Sequence, residues 1–413
     1  MKLKLVVLLS VLFAFTAAPR AAESYTNAYE AIALFTKVLE EVHRSYVDTN
    51  ESGYDSLIRH ALTGMLQDLD PYSQFMDKES YQDIKDDTAG RFGGVGLVVV
   101  MKAGLLTVVS PMEDTPAFRA GILSGDIIVE IDGKETRELS LADAVKKMRG
   151  DANTEVKLKI IRPSTHEVKE HTITREEIAV ASVKDAKLLD GGIGYVRLTQ
   201  FNEPTAEDLK GSLKKLTDQK MKALVLDLRG NPGGLLTAAG GVAELFLPRG
   251  DLIVFTKGRG GELADQRIKS SGNTHYADFP MVILVNGGSA SAAEIVSGAL
   301  QDHKRAVLVG EKTFGKGSVQ SMLPLEDGAA IKLTTAKYYT PSERVIHGNG
   351  IEPDVKVVMN PEDLFKIRLK QAQKGGEVDD DLPVPAGPEL RDVQLDYAIG
   401  TLKGMLIQQE WMK

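Results

Sequence analysis

A serine and a lysine 25 positions apart carry the chemistry this sequence could perform. Ser291 lies in the run Asn286-Gly287-Gly288-Ser289-Ala290-Ser291-Ala292-Ala293-Glu294-Ile295, and Lys316 in Thr313-Phe314-Gly315-Lys316-Gly317-Ser318-Val319-Gln320. A hydroxyl at the mouth of a small-residue turn, with a lysine in a glycine-bracketed loop, fits a serine nucleophile activated by a neutral amine. Such a base works only if burial or neighbouring charge brings the amine down from its usual pKa of about 10.4. Gln320, four residues beyond the lysine, could hold the amine through its side-chain carbonyl, orienting the base without moving protons.

The same segment offers a place for developing negative charge. An apolar strand over 281–285 runs into Gly287-Gly288, and helical spacing in Ile295, Ala299 and Leu300 follows Ser291. Ser291 therefore sits at a strand-to-helix turn, where the Ala292 N–H could stabilise an oxyanion. A second turn, Arg229-Gly230-Asn231-Pro232-Gly233-Gly234, follows the strand ending at Leu228 and should emerge at the same sheet edge. Gly233 or Gly234 is its candidate donor, because a residue without a side chain lets a carbonyl approach the backbone closely.

Other chemistries fit less well. Gly310 to Lys316 matches G-x-x-x-x-G-K, but Gly317 stands where a phosphate loop needs Ser or Thr for magnesium. Ser212-Leu213-Lys214-Lys215 falls mid-helix on a solvated face, and there is no G-x-S-x-G elbow. The seven histidines are scattered without ligand spacing, so no metal and no cofactor is expected. Cysteine is absent, which excludes disulfides and thiol catalysis. A net charge of -8 without a basic block favours neither nucleic acid nor an anionic membrane.

The elements that must position these residues can be read from periodicity. With 413 residues, 43% of them hydrophobic, the chain has room for two or three domains. Residues 1–22 read as an export signal: Lys2 and Lys4 precede an apolar run over 5–15, with cleavage near Ala18 or Ala22. Residues 25–87 look helical, with stripes at Ile32, Phe35, Val38 and at Leu57, Ile58, Leu62 that suit a core or a subunit contact. From Gly90 short strands at 94–100, 105–109 and 127–131, a helix over 140–149 and a strand over 156–161 form a small β-rich unit, and a charged stretch at 166–177 leads onward. Residues 193–340 alternate strands (193–198, 223–228, 281–285, 306–309) with helices such as 207–220, the signature of a layered α/β core. An acidic, glycine-rich linker at 373–381 and a last helix with Leu395, Ala398, Ile399, Leu402 and Met405 complete the chain.

With these residues placed, the chain resembles the carboxy-terminal processing peptidases, exported serine endopeptidases with a PDZ domain ahead of a Ser-Lys core. The likeness rests on Leu69-Asp70-Pro71-Tyr72-Ser73, Phe92-Gly93-Gly94-Val95-Gly96-Leu97, Pro116-Ala117 with Ala120-Gly121-Ile122, Gly125-Asp126-Ile127-Ile128, the run 227–234, both catalytic runs and Gly350-Ile351-Glu352-Pro353-Asp354. It implies Ser291 as nucleophile, Lys316 as general base and Gln320 as the residue that positions it. The family pattern usually has serine where this chain has Ala293.

The resemblance also implies a mixed α+β, multidomain α/β protein: a crotonase-like peptidase core with an inserted β-rich PDZ domain and helical N- and C-terminal segments. The boundaries are a signal peptide at 1–22, a helical region at 25–88, the PDZ domain at 89–165, the core at 166–358 with part of the N-terminal region packing on it, and a C-terminal linker and helix at 359–413. In that frame Gly94-Val95-Gly96-Leu97 presents backbone N–H groups to a C-terminal carboxylate, the strand from Leu97 pairs with the substrate tail and the helix from Ser140 walls the groove. Arg149, at the end of that helix, either links tail binding to the active site or meets the helix dipole. Expected partners are proteins with unstructured, apolar C-terminal tails, an adaptor protein that delivers them, and further copies of the chain; the expected location is periplasmic or extracytoplasmic. Two competing readings are a catalytically silent PDZ scaffold and a crotonase-type acyl-CoA enzyme, which the export segment and PDZ unit fit badly.

Overall fold

This computed structural model describes residues 27–412 except 103, 113, 114, 123, 124, 140, 164, 260–264, 273–275, 361, 362, 365 and 368–390. The export segment at 1–22 and the linker at 373–381 lie outside the described residues.

The chain divides into two compact units, Met1–Leu69 and Asp70–Lys413. The first holds α1 (Ala28–Ser45) and α2 (Tyr54–Gln67). Asn27 caps α1 by accepting the Glu30 N–H at 3.0 Å. The α1 stripe is not core: Ile32 is 59% exposed, Val38 53% and Phe35 47%.

The second unit begins with β1 (Gln74–Met76) and α3 (Lys78–Ala89), then a strand β2 (Arg91–Gly94) that enters the β-rich region. That region contains β3 (Leu97–Lys102), β4 (Leu105–Pro111), α4 (Pro116–Arg119), β5 (Ile127–Ile131), β6 (Lys134–Glu135), α5 (Leu141–Met148), β7 (Glu155–Arg162) and β8 (Glu167–Thr174), and β9 (Glu176–Ala179) leaves it. Its sheet runs β3-β4-β5-β7-β8, with β6 on β5, while β2 and β9 pair antiparallel as a two-stranded stem. Leu106, Val108, Ile128, Ile131, Val156, Leu158 and Ile160 fill its own core.

Of the region expected at 25–88, the part from Asp70 on, with β1 and α3, belongs to the larger unit. The β-rich domain does not end at 165 either; that boundary falls inside the β7–β8 hairpin. Strand β8 is charged because nearly all of it faces water and only Ile173 is buried, so it lacks the apolar alternation that marks a half-buried strand. Likewise the expected strand at 94–100 breaks at Val95-Gly96, where Gly96 takes φ +78 and a Cβ would lie 2.3 Å from Thr115 Cβ.

The core continues with β10 (Val183–Leu189), β11 (Ile193–Leu198), α6 (Thr205–Asp218), β12 (Ala223–Asp227), α7 (Leu236–Glu244), β13 (Leu252–Gly258) and β14 (Arg267–Lys269). Then come β15 (Met281–Val285), α8 (Ala292–Asp302), β16 (Val307–Gly310), β17 (Ser318–Pro324), β18 (Ala330–Tyr339), β19 (Val355–Lys356) and α9 (Val393–Trp411). One sheet has the order β10-β11-β12-β15-β16-β19, parallel from β11 to β19. Strand periodicity splits its side chains between two cores. Leu224, Leu226, Ile283 and Val285 pack under α6, α7 and α8. Ala223, Val225, Val282 and Leu284 pack with Ala398 and Leu402 of α9. Both faces are covered, which is why these strands read as unbroken apolar runs.

The region 252–339 does not simply alternate strand and helix. β13, β14, β17, β18 and β1 form a second, antiparallel sheet in which β18 pairs with β1, β13 and β17. Its residues mix buried and exposed positions without a clean period, so the sequence pattern concealed it.

Candidate active site

Three loops leave the carboxyl ends of adjacent parallel strands, the edge where open α/β sheets place their sites. Residues 228–234 follow β12, 286–291 follow β15 and 311–317 follow β16. Short polar side chains join them. Asn286 Oδ1 accepts the Gly230 N–H at 2.9 Å and the Gly288 N–H at 3.0 Å, while Ser289 Oγ donates to the Leu228 carbonyl at 2.8 Å. Beneath the glycine turn, the buried Arg229 guanidinium bonds Asp227, Asp392 and Gln394, tying the loop to the start of α9. Burial opposes its charge, but Asp227 and Asp392 outweigh that and hold Arg229 protonated, above the ordinary arginine range.

Ser291 is the residue before α8 and adopts φ 54, ψ -114. A non-glycine residue in that region carries backbone strain of about 1–3 kcal/mol and persists only where its surroundings over-determine it. Glu294 supplies much of the constraint. Its carboxylate is fully buried and accepts four donors: the Ser291 N–H at 2.8 Å, the Lys316 N–H at 2.8 Å, the Gly315 N–H at 2.7 Å and the Thr313 hydroxyl at 2.5 Å. One side chain thus fixes the backbones of Ser291 and of the lysine loop. The sequence reading missed Glu294, although Ser291-x-x-Glu294 has the spacing of a helix capping box and could have revealed it. Ala293 is fully buried in the core above the sheet, where a hydroxyl would need a partner.

The glycine turn presses against Ser291. A Cβ on Gly233 would lie 2.7 Å from Ser291 Cβ and 2.9 Å from the Ala292 nitrogen, so only glycine fits there. The Gly233 N–H is already given to Asn231 Oδ1 at 2.9 Å. Gly234 bridges to Phe201 through its neighbours: Phe201 donates to the Gly233 carbonyl, and Leu235 donates to the Phe201 carbonyl. Among the described residues, the N–H groups of Gly234 and Ala292 have no acceptor. Of the two glycines, Gly234 is the one with a donor to spare.

Lys316 is half-buried. Burial pushes its amine below the usual lysine range, and the positive charge of Lys332 adds to the shift. Ser291 and Lys316 line one cleft of about 960 Å³, together with Phe201, Gly234, Tyr338 and Lys332. Among the described residues their side chains share no hydrogen bond. Gln320 is not on the amine: its Nε2 donates to Ser318 Oγ at 3.0 Å and Thr334 Oγ1 at 3.1 Å, leaving its oxygen unengaged.

In the β-rich domain the Gly94-to-Leu97 segment runs between the stem and β3, with Val95 buried in the domain core and α5 packed on β3. Ser140 is outside the described residues, and α5 begins at Leu141. Arg149 reaches α3: its guanidinium lies 3.1 Å from Asp87 and 4.0 Å from Asp83, over the Phe92 ring at 4.6 Å. Asp87 also lines the cleft, so Arg149 touches the cleft wall through one ion pair.

Peptidase family S41 matches residues 192–357, and a PDZ domain matches residues 107–162. A carboxy-terminal-processing protease of Bartonella bacilliformis is 41% identical over 406 residues, 92% of this chain and 89% of that protein. A carboxyl-terminal-processing protease of Synechocystis is 42% identical over 308 residues, 73% of this chain and 71% of that one. The solved photosystem II D1 C-terminal processing protease is 31% identical and covers 79% of this chain and 92% of its own, with a TM-score of 0.46.

Proposed function

This chain belongs to peptidase family S41 as a carboxy-terminal-processing serine protease with a PDZ domain, and on that premise we propose an exported endopeptidase that holds substrate tails with the PDZ domain and cleaves through Ser291 and Lys316. The observation that carries the reading is the cleft itself. A hydroxyl in a strained turn, a half-buried amine and the uncommitted Gly234 N–H all border one space, and the uncommitted Ala292 N–H follows Ser291 in the chain.

In this mechanism neutral Lys316 takes the Ser291 proton as Oγ attacks the scissile carbonyl. The oxyanion is received by the Ala292 and Gly234 N–H groups, and the lysine proton passes to the leaving amine. Water then enters, Lys316 acts as base again, and the acyl-enzyme ester is hydrolysed. Gln320 orients the amine through its free carbonyl oxygen once substrate closes the site.

The pH dependence tests the base. A base must be unprotonated, so kcat/KM rises with pH through the Lys316 pKa and levels off above it. Because burial and Lys332 lower that pKa, the plateau is expected below the pH at which an ordinary lysine, near 10.4, would reach it. A rate that falls as pH rises through this range would rule out a lysine base.

Tail capture is assigned to the 94–97 turn and the groove between β3 and α5, and the partners to proteins ending in unstructured apolar tails, with room for an adaptor. The Arg149–Asp87 pair supports a link between that groove and the cleft. Arg149→Ala is expected to narrow the rate difference between a substrate with an apolar tail and the same protein without it. Unchanged rates for both would end the linkage idea. The exposed α1 stripe supports self-association, which sedimentation of the purified protein would detect. Export, read from residues 1–22, is tested by the N-terminus of the mature protein, expected after Ala18 or Ala22.

A further inference from the structure

In a serine-lysine pair the amine becomes an ammonium as the tetrahedral intermediate forms, and here that amine is half-buried. A histidine base in that position has a buried carboxylate to hold its charge. Lys316 has none: among the described residues no carboxylate pairs with its amine, and the neighbouring charge is the repulsive Lys332. What does face the amine is the ring of Tyr72, with Nζ 4.9 Å from the centroid.

Tyr72 is held there by construction. Asp70 Oδ1 accepts the Tyr72 N–H at 2.7 Å and the Ser73 N–H at 2.9 Å, and Oδ2 accepts the Ser73 hydroxyl at 2.8 Å. Burial works against the Asp70 charge, but these bonds outweigh it and hold the carboxyl below its ordinary range. The buried Ser73 Oγ in turn accepts the Thr334 N–H at 3.1 Å, and Thr334 Oγ1 takes the Gln320 amide. Gln74 follows in register opposite Lys332. The turn at 70–73 is thereby fixed to β18, the strand that also pairs with β17, two residues beyond Lys316.

We propose that Tyr72 is a positioning residue for the reaction, its ring face receiving the ammonium that Lys316 becomes when it takes the Ser291 proton. The inference rests on the reading of Lys316 as base. A desolvated cation over an aromatic face is stabilised by the ring quadrupole. Among the other ionisable groups near Lys316, Asp70 serves its own turn, Glu294 binds four donors including the Lys316 N–H, and Lys332 carries like charge. His347 approaches Gly317 with its backbone, and its buried Nδ1 has no partner among the described residues.

The test separates the ring's electrostatics from its shape. Tyr72→Phe is the reference, and mono-, di- and trifluorinated phenylalanine at position 72 then weaken the ring face at nearly constant volume. Rates are measured against pH on the mature protein with an unfolded, apolar-tailed substrate, alongside Tyr72→Leu and Lys316→Ala. With each added fluorine kcat is expected to fall, reaching about tenfold, and the acid limb to move to lower pH by up to about one unit, with KM constant. Tyr72→Leu should follow the trifluorinated form. A flat series, or a change carried by KM, overturns the role of Tyr72 while Lys316→Ala stays inactive. Cleavage retained by Lys316→Ala overturns the base assignment and this inference with it.

Discussion

Alanine at Ser291 or at Lys316 is expected to lower kcat on an unfolded, apolar-tailed substrate by about 10⁴-fold or more. Ser291→Ala removes the atom that forms the acyl bond. Lys316→Ala removes the proposed base, and neither Gln320, which cannot take a proton, nor a histidine, of which the cleft lining has none among the described residues, can replace it. The two residues act as a unit, so the double variant should lose no more than either single one. On the proposed reading tail binding belongs to the PDZ domain, so it should survive in all three variants. Additive losses, or a single variant with wild-type turnover, would show that the residues do not cooperate.

Glu294→Ala is the second large effect. It strands four donors that share one buried carboxylate, and two of them are the backbone N–H groups of Ser291 and Lys316. A buried group that loses its partner costs about 1–3 kcal/mol, more where the partner was charged. The unfolding free energy, read from urea titration, is therefore expected to drop by about 3 kcal/mol or more. Activity should fall by at least about a hundredfold even below the unfolding transition, because misplacing reacting groups by about 1 Å can cost that much. Glu294→Gln should be intermediate, since its amide nitrogen can no longer accept from the donors on that side. A folded Glu294→Ala enzyme with undiminished kcat would mean the carboxylate does not hold the site together.

How much of this was legible follows from what kind of signal each part leaves. Strands buried on both faces, such as β12 and β15, announce themselves as apolar runs, and the Ser291 turn follows from glycine before a helical period. The nearness of Gly233 to Ser291 could be inferred because both turns leave the same edge of a parallel sheet. Strand β8 was hidden by its exposure, and the antiparallel sheet around β18 by its mixed pattern. Which glycine has a free N–H depends on Asn231 folding back onto Gly233, a local contact with no periodic trace. Gln320 was placed on the lysine by spacing and resemblance, whereas its amide bonds Ser318 on its own strand and Thr334 across the strand pair. Tyr72 meets Lys316 only through a pairing of β1 with β18, between segments far apart in the chain.

The most direct measurement of the central claim is mass spectrometry of the mature enzyme, quenched while turning over an ester of an apolar-tailed peptide. An acyl group on the peptide containing Ser291, absent from Ser291→Ala and formed only at trace level in Lys316→Ala, is the predicted result. Turnover without an adduct, or an adduct on another residue that persists in Ser291→Ala, would contradict it.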